Sequence, residues 1–127
     1  MFTDFLNRYS PLTVQLTAVL VMTVMVAALY FGGGQPIAVG LFAAPYDKLA
    51  HLVVFAVLGV AMCLAIGLRG LAMMWFGFFC TLLVGIVDEW HQIYLPGRTS
   101  SFGDVVADAV GAALGAWAAW RGTGGGE

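Results

Sequence analysis

Asp88, Glu89, His91 and Gln92 crowd hydrogen-bonding side chains into the end of one apolar run, and Asp47, Lys48 and His51 open another. Arg98 lies in the turn that follows the first group, and Asp104 and Asp108 open the last apolar run. Histidine can move a proton near neutral pH and carboxylates can orient it or hold a cation. Arginine and lysine can hold a phosphate, arginine through a planar fork. Charge is costly beside hydrocarbon, so an ionisable cluster at the ends of apolar runs marks a functional site by default.

The cluster is not charge-balanced. Asp47, Asp88, Glu89, Asp104 and Asp108 outnumber Lys48 and Arg98, leaving three surplus negative charges when both histidines are neutral. Crowded carboxylates in a low dielectric need compensation. Carboxyl protonation, histidine protonation or a bound cation would each supply it. His51, His91 and the carboxylates are suitable ligands for a divalent cation, although the pattern His-Glu-x-x-His is absent.

The elements that position these residues follow from composition. Hydrophobic residues make up 61% of the 127 and charged ones 9%, against about 25% charged in a soluble domain. An all-α, polytopic integral membrane protein is expected, a four-transmembrane-helix bundle with the lipid bilayer as its surroundings. The net charge of −2 supplies no basic face for nucleic acid. One membrane domain is expected over 1–121, with helices near 12–31, 47–68, 71–90 and 102–120. A disordered Gly-rich tail is expected over 122–127, and before the second helix an apolar stretch over 35–46, with Ile37, Val39, Leu41 and Phe42, is expected as an interfacial loop or a short re-entrant piece. The first helix is too long and too poorly flanked for a signal peptide and is expected to be retained. Cys63 and Cys80 sit among apolar neighbours and read as core.

Four spans put both termini on one side, together with Arg8, Arg69 and Arg121, and put Lys48 and Arg98 on the other. The positive-inside rule then makes the termini cytoplasmic and the polar mouth external, in a bacterial plasma membrane. Within the mouth, Asp47 and His51 share one helical face, as do Asp88 and Gln92. Asp104, Asp108, Gly111 and Gly115 form a single stripe whose glycines allow close helix approach, with Gly85 as a packing partner near Asp88. Arg98 is expected to clamp Asp88, Asp104 or Asp108.

Three stretches carry a resemblance: Asp47-Lys48-x-x-His51 with Phe55, Asp88-Glu89-x-x-Gln92 with Pro96-Gly97-Arg98, and Asp104-x-x-x-Asp108-x-x-Gly111-x-x-x-Gly115. This pattern resembles the VanZ-like membrane protein family, and Asp108 replaces the asparagine usual there. The resemblance implies a link to low-level resistance to the glycopeptide teicoplanin, with no established chemistry or cofactor.

Taken singly, most of these residues have structural explanations. Asp47 suits the first turn of a helix, Lys48 can snorkel, and Ser100 or Ser101 can cap the last helix. Trp75, Trp90, Tyr94, Trp117 and Trp120 suit an interfacial belt. The cluster as a whole points to a pocket binding a phospholipid or lipid-linked cell-wall precursor headgroup through Asp47, Lys48, His51, Asp88, Glu89, Gln92, Arg98, Asp104 and Asp108. The alternatives are a small enzyme acting on lipid-linked phosphate, with His51, Asp88 and His91 as catalytic candidates, and a structural subunit assembled with other membrane proteins.

Overall fold

A computed structural model describes residues 1–36 and 40–125. The expectations for Ile37, Val39, Gly126 and Glu127 fall outside the described residues. The described chain is all-helical: α1 (Phe2–Asn7), α2 (Pro11–Ala27, continued by a wider π turn, Ala28–Gly32), α3 (Tyr46–Ile66), α4 (Gly70–Gln92) and α5 (Phe102–Gly122). Four of these helices, counting α2 through Gly32, are long and apolar enough to cross a membrane. The short α1 and the π turn are additions to the expected pattern.

Local signals explain the boundaries. Ser10 Oγ accepts from Thr13 N at 3.1 Å, and Pro11 starts α2, where its missing N–H costs nothing. Gly67 takes φ +75° and ends α3 at Ile66, short of the expected 68. Ser101 caps α5 by accepting from Asp104 N at 3.2 Å. The end of α5 runs through buried Gly122, so this residue belongs to the helix and not to the tail. The end of α4 extends past the expected 90 to Gln92, which keeps Asp88, Glu89, His91 and Gln92 on one continuous helix.

The centre of the bundle is the α3–α5 pair, its most extensive helix contact. A Cβ on Gly111 would strike Leu52 O, and one on Gly115 would strike Ala56 O, both backbone atoms of α3. From the α3 side, a Cβ on Gly59 would lie 3.0 Å from Ala112 O. Small residues thus bring two backbones together, which gains dispersion contact where lipid offers no hydrophobic drive. A stripe of α4, Met73, Gly77, Thr81 and Gly85, lies buried and runs into Asp88, Glu89 and Gln92. A small core of Cys63, Met73, Ala116 and Ala119 closes the opposite end, and partly buried Trp120 packs against it.

Candidate polar site at one end of the bundle

Helix alternation brings the end of α4 and the starts of α3 and α5 to one end. There His51 Nδ1 of α3 lies 2.8 Å from Asp108 Oδ1 of α5. Asp108 has no solvent exposure. Room for it comes from Gly85 of α4, where a Cβ would lie 2.9 Å from Asp108 Oδ2 and 3.1 Å from Phe55. Gly85 therefore packs against Asp108 of the α5 stripe and against Phe55.

One turn nearer the end, Lys48 Nζ donates to Asp104 Oδ1 at 2.6 Å, to Asp47 Oδ2 at 3.3 Å and to Ser101 Oγ at 3.3 Å. Gly103 permits this crossing, since a Cβ there would lie 2.9 Å from Lys48 Cε. Ser101 Oγ also donates to Asp104 Oδ2 at 2.7 Å. Lys48 is thus an ion-pair partner of Asp104 and Asp47. Asp47 lies inside the first turn of α3 without a side-chain capping bond and is held by Lys48.

Two neighbours on α4 face different groups. Gln92 Nε2 donates to Asp88 Oδ2 at 2.8 Å, the (i, i+4) pairing that the spacing implied. Glu89 Oε2 accepts from Ser100 Oγ at 2.9 Å and from Ser101 N at 3.3 Å. Its other oxygen, Oε1, lies 4.0 Å from His51 Nδ1. Glu89 Oε1 and Asp108 Oδ2 are buried and make no hydrogen bond.

A cavity of about 390 Å³ opens beside this network. Asp47, His51, Asp88, Gln92 and Arg98 form its polar part, and its apolar walls include Met25, Leu29, Val54 and Phe55. Asp104 and Asp108 are taken by Lys48 and His51, so Arg98 does not play the expected clamp to those two. It lines the cavity together with Asp88. His91 sets its ring edge-on to Tyr30 at a centroid distance of 5.9 Å. Tyr30 belongs to the π turn, and its hydroxyl donates to Val84 O at 3.3 Å.

Chemically, the site holds one oriented imidazole, buried carboxylates and a guanidinium beside an apolar wall. Ser101 caps α5 as expected, and Ser100 and Ser101 in addition bind site carboxylates. The spacing Ser101-x-x-Asp104 was the available signal, because that pattern both caps a helix and fixes its acidic residue. Tyr30, Leu41 and Phe42 also belong to this end of the bundle, and no spacing in the sequence connects them to it.

A family model described as VanZ/LLP1 matches residues 4–122, nearly the whole chain. None of the curated proteins and none of the solved structures matches it. The chain belongs to the VanZ/LLP1 family, and its four apolar helices make it a multi-pass membrane protein.

Proposed function

We propose that this VanZ/LLP1 member binds the headgroup of a membrane lipid, either a phospholipid or a lipid-linked cell-wall precursor, in the cavity beside Arg98. The observation that carries this reading is the composition of that one cavity. Asp47, His51, Asp88, Gln92 and Arg98 adjoin Met25, Leu29, Val54 and Phe55. A polar part continuous with an apolar wall matches an amphiphile's head and chain. Arg98 would take a phosphate through its fork, and Asp47 and Asp88 would take hydroxyl or amino donors of the same head. The arginine distribution supports an external mouth, cytoplasmic termini and a bacterial plasma membrane. The resemblance's link to teicoplanin resistance supports the same envelope role.

The test is native mass spectrometry of the protein released gently from its membrane. A phosphate-bearing lipid should be retained by the parent and lost from Arg98→Ala. Retention should also fall in Arg98→Lys, which keeps the charge but lacks the fork. A parent that carries no lipid, or an Arg98→Ala chain that carries it equally, would overturn the reading.

One observation favours a second reading, hydrolysis of a lipid-linked phosphate. His51 Nδ1 is held by Asp108, which leaves Nε2 as the nitrogen available for proton transfer. Release of inorganic phosphate from a lipid pyrophosphate, abolished in a folded His51→Ala chain, would establish it.

A further inference from the structure

The geometry points to a divalent-cation site formed by His51, Glu89 and Asp108, with Mn²⁺ or Zn²⁺ as its chemical class. The donor atoms of these three residues lie within 4.8 Å of one another. They come from α3, α4 and α5, so the site would tie together three helices.

A second observation is independent of that proximity. Glu89 is 3% exposed and Asp108 0%, and each keeps one buried oxygen with no hydrogen-bond partner. Buried polar atoms ordinarily find a partner, and an orphaned carboxylate oxygen is costly. Glu89 Oε1 is the oxygen turned toward His51 Nδ1, while its Oε2 is fixed by Ser100 and Ser101. A ligating carboxylate anchored through its other oxygen is the usual arrangement around a metal. Two carboxylates and a neutral imidazole also balance a divalent cation in charge. One nitrogen with two oxygens suits Mn²⁺ or Zn²⁺ better than a purely oxygen-seeking ion. Three protein ligands leave coordination positions open, and His51 borders the cavity, so the cation would face whatever occupies it.

The site stands on its own residues and does not depend on lipid binding. The test is therefore made in detergent, on protein stripped with a chelator, by electron paramagnetic resonance of added Mn²⁺ and by competition with Zn²⁺. The parent should take up one Mn²⁺, displaced by Zn²⁺. Glu89→Gln and Asp108→Asn should each weaken uptake by more than about tenfold. Asp4→Asn, on the exposed surface of α1 and outside the three ligands, should bind as the parent does. Thermal unfolding establishes that each variant is folded, and Glu89→Gln decides the matter if Asp108→Asn does not fold. A parent that takes up neither ion, or a folded Glu89→Gln chain with unchanged uptake, would overturn the site.

Discussion

Gly85 and Asp108 are built around each other: a single methyl group on Gly85 would sit 2.9 Å from Asp108 Oδ2 and 3.1 Å from its Cβ. Gly85→Ala must therefore displace Asp108 or Phe55. Forcing a methyl into a packed interior costs about 1–3 kcal/mol. The variant should unfold at lower temperature in detergent than the parent. An unchanged melting temperature would show that Asp108 can swing aside freely.

A harsher outcome is expected for Gly115→Ala. Its new Cβ would meet Ala56 O, a backbone atom of α3 that cannot rotate away. The α3–α5 backbones would have to separate along their length. Folded yield from membranes should fall further than for Gly85→Ala, whereas Ala113→Val on the exposed side of α5 should be tolerated. Equal yields for the two glycine variants would contradict the backbone-on-backbone contact.

These consequences divide into what spacing can reveal and what it cannot. The glycine stripe of α5 and the Asp88–Gln92 pair are properties of a single helix, fixed by a repeat of about 3.6 residues, and both were readable from the chain. Which acid meets which base is set by the rotation and crossing of separate helices. The 56 positions separating Lys48 from Asp104 carry no trace of their contact at 2.6 Å. For the same reason the expectation that Arg98 clamps Asp88, Asp104 or Asp108 includes two carboxylates that Lys48 and His51 already hold. The two histidines are equivalent by type, and it is the Asp108 contact of His51 and the Tyr30 contact of His91 that distinguish them. Nothing in Ala-Leu-Tyr-Phe-Gly sets the π turn bearing Tyr30 apart from ordinary helix.

Lys48→Met removes the cation from Asp104, whose side chain is only 8% exposed. The carboxylate would be left with Ser101 and uncompensated charge. Thermal stability should drop, and adding Asp104→Asn should recover part of the loss because the orphaned charge disappears. If the double variant melted no higher than Lys48→Met, the pair would not be the cause.

The proposed orientation is checked with a reporter fused after Glu127. A reporter active only in the cytoplasm should be on, and a periplasmic reporter at the same point should be silent. The reverse pattern would place the polar mouth on the inner face. It would leave the His51–Asp108 geometry untouched.

The helices are unequal partners. Only 6% of the apolar window of α2 is buried, against 44% for α5. Two cross-helix hydrogen bonds stand toward the ends of the first span: Gln15 Nε2 donates to Ala65 O at 3.0 Å, and Tyr30 to Val84 O at 3.3 Å. Met25 and Leu29, just before the second of these fastenings, form part of the cavity wall. The first span is thus fastened to its neighbours near both of its ends, with most of its apolar surface left to the surroundings. Under the lipid-binding proposal, a guest with a long hydrocarbon tail would reach the cavity past that span. Its tail would stay in the bilayer throughout, so the cost of drawing a chain into water would never arise.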